Sequence, residues 1–270
     1  MRSRVDGRAG ALFALGVVVL AVAAAWWWHQ RQQAHREQAR ARALELAKPR
    51  IAIVLDDWGY NTRNVPALQR LHRPVTVAIL PRLKYSQAIA RAGRAAGCEV
   101  ILHLPMESHR LEANPRFRME AKTILSSMSD REVADDVAEA LASVPGCRGV
   151  SNHQGSKGTE DARLMRDVLR QLKQRRLYFL DSLSTPHSVG RAAARDAGVP
   201  YAQRQRFLDN ENRAPYVEAQ LRQLVDDARA RGSAIGIGHD RPVTLAVLER
   251  LLPQLEAQGV RCVYVSELAR

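Results

Sequence analysis

Short apolar runs alternate with longer amphipathic stretches along most of the chain. Seven runs have the length of buried strands: Ile51–Leu55, Val75–Leu80, Val100–Leu104, Gly149–Asn152, Leu177–Leu180, Ala234–Ile237 and Val260–Val265. Tyr201–Leu208 is a more polar eighth candidate. The stretches between them predict helices near Asn64–His72, Ser86–Ala96, Asp130–Val144, Asp161–Arg175, Tyr216–Arg231 and Thr244–Gln258. Strands that alternate with helices predict an α/β fold with a parallel sheet.

Polar residues that can carry chemistry follow five of the apolar runs. They are Asp56-Asp57, His103 with Glu107, Asn152-His153, Asp181-Ser182 and His239-Asp240. In a closed barrel the carboxyl ends of all strands converge on one mouth, whereas an open sheet spreads them along an edge. The glycine-rich phosphate loop of the open doubly wound sheets is absent from the sequence. The pattern therefore favours a single (β/α) barrel of seven or eight mostly parallel strands over residues 49–270.

The amino terminus has a different pattern. Ala9 to Trp28 is a run of 20 uncharged, mostly apolar residues, which as a helix would span about 30 Å, the thickness of a bilayer core. A basic segment, residues 1–8, precedes the run, and Trp26–Trp28 end it, as is typical of membrane interfaces. We expect residues 9–28 to form a transmembrane signal anchor and residues 29–48 a polar stalk. A signal peptide cut near Ala23–Ala25, which would release a secreted protein, is the alternative.

The net charge of +13 first suggests a nucleic-acid partner. However, residues 1–50 alone contribute a surplus of six positive charges, and residues 51–270 contribute seven. No basic stripe with interleaved aromatic residues occurs, and aromatic residues are only 5% of the chain. We therefore expect no nucleic-acid partner. The charges that flank the apolar run suit an anionic lipid surface. The basic residues before the run favour an amino terminus inside the cell, whereas those after it weaken that rule. With the amino terminus inside, we expect the body of the chain outside the cytoplasmic membrane or in a periplasm.

The residues that follow the strands form a constellation of carboxylates and imidazoles: Asp56, Asp57, Asp181, His103, His153 and His239. Mixed Asp and His ligands suit zinc or a similar divalent ion. Such an ion lowers the pKa of a bound water, a spare carboxylate can take the proton, and an imidazole can protonate a leaving group. The constellation therefore permits hydrolysis of an amide or ester, although each residue alone is also compatible with a structural role.

Five motifs resemble those of the divergent polysaccharide deacetylase family: IAIVLDDWG at 51–59, HLPME at 103–107, NHQGS at 152–156, FLDS at 179–182 and GIGHD at 236–240. The resemblance covers about residues 49–270. That family is a distant branch of the carbohydrate deacetylases, which share a distorted, often seven-stranded (β/α) barrel. The resemblance implies the same fold here, and a hydrolase that acts on acetyl groups of a polysaccharide.

The resemblance also implies catalytic roles. The better-known deacetylases carry an Asp-Asp pair after the first strand, whose first carboxylate acts as a base and whose second binds the metal. These residues correspond to Asp56 and Asp57. His239 resembles the histidine that acts as the acid on the last-but-one strand. Asp181 is expected to orient His239 or contact the site, and its alternative role is to cap the loop that follows it.

The remaining metal ligands are less directly implied. The better-known enzymes place two histidines four residues apart after one strand, but this chain has His103 and Glu107 at that spacing. His153, from the next strand, can replace the second imidazole. The expected ligands are therefore Asp57, His103 and His153, with Glu107 as a possible replacement and zinc as the favoured ion.

The sequence thus predicts a membrane-anchored, metal-dependent hydrolase that removes acetyl groups from a cell-envelope polysaccharide. The alternative is a catalytically inactive envelope glycan-binding protein built on a deacetylase barrel, which the altered His103/Glu107 pattern keeps open.

Cys98 and Cys147 occupy similar positions before neighbouring strands, so they are candidates for a disulfide, whereas three unpaired buried thiols are the competing expectation.

Overall fold

The structure is a computed structural model that describes residues 26–40, 48–114 and 119–270. The chain divides into two compact units, Met1–Lys48 and Pro49–Arg270. In the first unit, residues 26–40 are helical, and the expected anchor at 9–28 lies, apart from its three tryptophans, outside the described residues. Among the described residues no helix is long and apolar enough to cross a membrane.

The second unit alternates strands and helices as the sequence predicts. The strands are β1 (Arg50–Trp58), β2 (Thr76–Ile79), β3 (Glu99–Met106), β4 (Gly149–Gln154), β5 (Tyr178–Asp181), β6 (Tyr201–Gln203), β7 (Arg206–Phe207), β8 (Ser233–His239) and β9 (Arg261–Val263). The helices are α1 (Val65–Leu71), α2 (Ser86–Ala95), α3 (Arg110–Ala113), α4 (Asp130–Ser143), α5 (Ala162–Gln174), α6 (Gly190–Ala197), α7 (Ala214–Arg231) and α8 (Pro242–Ala257).

All strand pairs in the described part of the chain are parallel, and the sheet order is β6-β5-β4-β3-β2-β1-β8-β7, with β9 beside the start of β1. The two edge strands β6 and β7 are separated along the chain only by Arg204 and Gln205. The Arg204 amide donates to the Asp181 carbonyl at 3.0 Å, and the Gln205 amide donates to the Ile235 carbonyl at 2.8 Å. This linker therefore holds the two edges of a curled sheet near each other, which gives a distorted β/α barrel.

Side chains of β1 alternate between two apolar layers. Ile51, Ile53 and Leu55 pack among the helices, whereas Ala52 and Val54 pack inside the barrel. Because successive side chains of a strand point to opposite faces, the same alternation sends later residues of each strand either into the mouth of the barrel or outward. The three cysteines, Cys98, Cys147 and Cys262, are free thiols in the structure, so the candidate Cys98–Cys147 disulfide is not formed there.

Candidate metal centre

Strand alternation brings four of the predicted residues to the mouth of the barrel. Asp56 follows Val54 on the inner face of β1, and His103 follows the inward-facing Ile101 on β3. His239 ends β8 two residues after the inward-facing Ile237. His153, on β4, lies close to His103, with a distance of 3.2 Å between His153 Nδ1 and His103 Nε2. The parallel register therefore assembles residues that are more than 180 positions apart.

Asp57 reaches the same place through a local irregularity of β1. The pairing of β1 with β2 shifts register between Leu55 and Trp58, and Asp57 has a φ of 66°, in the left-handed region. An aspartate tolerates this conformation better than most residues. The consequence is that consecutive carboxylates of Asp56 and Asp57 both face the histidines, which a regular strand would not allow.

Three atoms of this group have the spacing of metal ligands. Asp57 Oδ1 lies 3.4 Å from His103 Nε2 and 3.1 Å from His153 Nδ1. Ligands about 2.0–2.1 Å from a tetrahedral zinc ion are separated from one another by roughly 3.3 Å. Asp57 Oδ1 is buried and makes no well-formed hydrogen bond with any described residue. The three residues therefore fit a divalent ion, which they would hold through one carboxylate oxygen and two imidazole nitrogens.

Neighbouring groups tune these ligands. His103 is 2% exposed, and its Nδ1 lies 2.8 Å from Ser151 Oγ, so the ring is held with Nε2 toward the other ligands. Burial alone would raise the pKa of Asp57, but the adjacent imidazoles of His103 and His153 outweigh it and hold that pKa well below its usual range. Asp57 is therefore an anionic ligand at all ordinary pH values.

Asp56 lies beside the ligands without belonging to them. Its side chain is buried, Oδ2 is 3.5 Å from His103 Nε2, and Oδ1 has no hydrogen-bond partner among the described residues. Burial raises the pKa of Asp56, and the charge of Asp57 adds to that rise, although the nearby histidines oppose it. A buried carboxylate with a free oxygen at the mouth is suited to accept a proton.

A second histidine–carboxylate pair lies at the mouth on β8. His239 Nδ1 is 2.7 Å from Asp209 Oδ1, and the amide of His239 donates to Asp209 Oδ2 at 2.8 Å. Thr244 Oγ1 donates to the same Asp209 oxygen at 2.6 Å. Burial lowers the pKa of His239, but the hydrogen bond and charge of Asp209 more than compensate, so that pKa is raised. His239 Nε2 remains available to donate a proton into the mouth.

The carboxylate that orients His239 is therefore Asp209 and not Asp181, which corrects the sequence-based role. Asp181 is fully buried, and its carboxylate accepts hydrogen bonds from the Leu183 amide at 2.8 Å and from Ser188 Oγ at 2.6 Å. It follows Phe179 on the outer face of β5, which packs among the helices. Asp181 thus fixes the loop after β5, the alternative role that the sequence left open.

Glu107 also lies apart from the three ligand atoms. Its carboxylate accepts hydrogen bonds from the Ser126 amide at 2.7 Å and from Ser126 Oγ at 2.6 Å, and it forms an ion pair with Lys157 at 3.0 Å. Burial opposes ionisation of Glu107, yet Ser126 and Lys157 together lower its pKa. Glu107, the possible replacement ligand, therefore lies outside the cluster that Asp57, His103 and His153 form.

Several known proteins are similar to this chain in sequence or in fold. A family model described as "Divergent polysaccharide deacetylase" matches residues 53–269. The uncharacterized protein YibQ of Escherichia coli (strain K12) is 34% identical over 221 residues, which cover 80% of this chain and 68% of YibQ. An uncharacterized protein of Haemophilus influenzae is 34% identical over 213 residues, which cover 79% of this chain and 74% of that protein. The crystal structure of an uncharacterized protein of Agrobacterium tumefaciens C58 has the same fold, with a TM-score of 0.76, 23% identity, and coverage of 82% of this chain and 89% of that one.

Proposed function

Because this chain belongs to the divergent polysaccharide deacetylase family, we propose that it is a metal-dependent hydrolase that removes acetyl groups from a cell-envelope polysaccharide. The observation that carries the proposal is the cluster of Asp57 Oδ1, His103 Nε2 and His153 Nδ1, with Asp56 at its edge. Two nitrogen donors and one carboxylate form a ligand set that zinc favours.

When bound, a divalent ion at this site supplies Lewis acidity, which polarises an acetyl carbonyl and makes water more acidic. Asp56, with its free Oδ1, accepts the proton of the attacking water. His239 lies on β8 beside Asp56 of β1, and its raised pKa favours the protonated imidazole, so Nε2 donates a proton to the departing nitrogen or oxygen. Asp209 holds the imidazole in this orientation through its hydrogen bond to Nδ1.

An acetate-release assay on a panel of N- and O-acetylated envelope glycans tests this function. We expect release that stops on chelation and returns on addition of zinc. Asp56→Asn is expected to abolish release while the protein binds as much zinc as before, because Asp56 is not one of the three ligands. Full activity in Asp56→Asn, or no release from any glycan by the zinc-loaded protein, would contradict the proposal.

The second candidate function is non-catalytic glycan binding. It is favoured by one observation: Glu107 stands four residues after His103 but pairs with Lys157 and Ser126. A site that binds no zinc, even when zinc is added to protein purified without chelator, together with glycan binding but no acetate release, would support this alternative. Stoichiometric zinc with acetate release would exclude it.

We also propose that residues 9–28 anchor the protein in the cytoplasmic membrane, with the barrel in the periplasm or outside. The support is the apolar run in the sequence and the exposure of the tryptophans that end it. Trp26, Trp27 and Trp28 are 63%, 54% and 62% exposed on a helix. Consecutive helical residues are about 100° apart, so three indoles surround the helix rather than covering one face. This arrangement suits a helix that passes through a membrane interface. Secretion after cleavage of the run is the alternative.

A further inference from the structure

Parallel strands and returning helices place one set of chain segments at the end of the barrel opposite the mouth. At this end the strands begin and the helices end. We call this end the base. For each helix that leads to a strand, the base includes the last four residues of the helix, the loop that follows it and the first residue of the strand. It also includes the first and last segments of the barrel unit. In numbers, the base comprises residues 49–50, 68–76, 92–99, 140–149, 171–178, 194–201, 228–233, 254–261 and 264–270.

The base carries the whole positive surplus of the barrel. It contains 13 Lys and Arg against four Asp and Glu, a surplus of nine. Residues 49–270 together contain 33 basic and 25 acidic residues, a surplus of eight. The rest of the unit, including the mouth, therefore has 20 basic and 21 acidic residues and is close to neutral. The barrel is electrically polarised along its axis, with the positive end away from the candidate metal centre.

Helix dipoles explain only part of this surplus. A cation in the last turn of a helix is stabilised by the partial negative charge there, which accounts for Arg94, at the end of α2. Arg148, Arg175 and Arg176 instead lie in loops after α4 and α5, and all three are exposed. None of these three forms an ion pair with a carboxylate of the described chain. A group of exposed arginines without carboxylate partners is available to bind an external anion.

The same arginines line two adjoining hollows in the base. One hollow, of about 460 Å³, is lined by Arg148, Arg175 and Arg176, and the other, of about 510 Å³, is lined by Arg94 and Arg148. Ser266 borders both hollows. Hollows of this size, with guanidinium groups on their walls, can receive a phosphate-bearing headgroup.

The base lacks the exposed aromatic surface on which single-stranded nucleic acid binds. Its aromatic residues are Tyr178, Tyr201 and Tyr264, of which the first two are buried and the third is half-buried. Single-stranded nucleic acid binds on exposed aromatic rings that stack with its bases. An anionic lipid surface requires only clustered Lys and Arg. The absence of exposed rings among the described residues of the base therefore favours lipid.

Chain connectivity agrees with this choice, because the chain enters the barrel at Arg50, within the base. We propose that the base binds an anionic phospholipid surface through Arg94, Arg148, Arg175 and Arg176, which directs the mouth away from the membrane. This interaction is independent of the reaction at the mouth. It is also distinct from the proposed anchor, since it depends on headgroup charge and on residues of the barrel alone.

Hydrogen–deuterium exchange of the full chain on vesicles tests the proposal. The vesicles are phosphatidylcholine, either pure or with about 30% phosphatidylglycerol, at low salt, where charges act over about 10 Å or more. We expect amides of the base to exchange more slowly on the anionic vesicles only, and this protection to disappear at about 0.5 M salt. Because the readout is local, it reports on the base whether or not residues 9–28 hold the chain in the bilayer.

Two charge-matched variants sharpen the test. The first is Arg148→Glu/Arg175→Glu/Arg176→Glu; the control is Arg91→Glu/Arg131→Glu/Arg166→Glu, which reverses three exposed arginines outside the base. Each arginine near an anionic surface changes lipid affinity about fivefold, so loss of three weakens it on the order of 100-fold, and the three glutamates add repulsion to that loss. We expect the base variant to lose the protection and the control to keep it.

Three results would overturn the proposal. These are equal protection on both kinds of vesicle, protection that survives in the base variant, and slowed exchange at the mouth loops instead of the base. A parallel arm with dextran sulfate covers the other source of anions. Protection of the base by dextran sulfate but not by phosphatidylglycerol would assign the base to a soluble polyanion and exclude lipid.

Discussion

Asp209 determines what His239 can do at the mouth. Its carboxylate accepts from both the ring and the amide of His239, and it is itself fully buried and bound by Thr244. Burial opposes the ionisation of Asp209, but its contacts with His239 and Thr244 lower its pKa. The pair therefore consists of a fixed anion and an imidazole whose pKa is raised by it.

Replacing that anion is expected to change the pH profile of acetate release. In Asp209→Asn the raising effect on the pKa of His239 is lost while burial still lowers it. His239 then loses its proton at lower pH, so the alkaline limb of the profile moves to lower pH. Asp181→Asn, which changes a buried carboxylate that caps a loop, should leave the limb in place at equal folded fraction. An unmoved limb in Asp209→Asn would show that His239 is not the acid.

Most site residues could be predicted, because each lies at or near the carboxyl end of an apolar run, and the exceptions have physical causes. Side chains alternate along β5, which puts Asp181 on the same outer face as Phe179. The apolar run before Asp181 has only four residues, so the sequence leaves open which face of the sheet Asp181 occupies. Asp209 directly follows the polar run 201–208. Because the apolar pattern of that run is weak, the sequence does not identify a strand end there, and Asp209 was not predicted as a site residue. The separation of Glu107 from the ligands depends on Ser126 and Lys157, which are distant in sequence.

At the scale of the elements, the seven strong apolar runs and the six amphipathic stretches all became strands and helices within a few residues of the predicted bounds. The candidate strand 201–208 divides instead into β6 and β7, which lie at opposite edges of the sheet. No local sequence pattern predicts that division, because it depends on which neighbouring strand each segment pairs with in the folded sheet. Helix α6 was missed because it is eight residues long and buries only Gly190 and Ala194, which gives no apolar stripe.

Strand β8 supports the site through two glycines on its outer face. A Cβ on Gly238 would lie 2.8 Å from Thr244 Cγ2 and 3.6 Å from Asp209 Oδ2. Gly238→Ala is therefore expected to displace Thr244 and to lower the free energy of unfolding by about 1–3 kcal/mol. It is also expected to lower kcat, because Asp209 loses the hydrogen bond that Thr244 donates. At Gly236 the Cβ would meet Leu224 Cδ2 at 2.7 Å, so Gly236→Ala should lose stability with kcat nearly unchanged. Denaturant unfolding and kcat measured on both variants check this; equal losses of kcat would contradict it.

For the whole molecule, the barrel divides into a mouth with the candidate metal ligands and a base with the positive charge, and we propose a different task for each end. The family match covers residues 53–269 and does not include the amino-terminal run. Anchoring of the chain in a membrane by an apolar helix is therefore a separate prediction, which depends on residues 9–28 alone.

That prediction can be tested by placing charge in the centre of the run. Two arginines at the middle of a transmembrane helix cost about 5–7 kcal/mol on the insertion scale, so Val18→Arg/Val19→Arg is expected to move the protein from the membrane pellet to the supernatant after alkaline carbonate extraction. Val18→Leu/Val19→Leu, which keeps the run apolar, should stay in the pellet. The mass of the mature chain separates the alternatives: an intact amino terminus in the pellet indicates an anchor. A soluble chain that begins near residue 26 in the unaltered protein would instead show that the run is a cleaved signal peptide, because small residues at 23–25 then directed the cut.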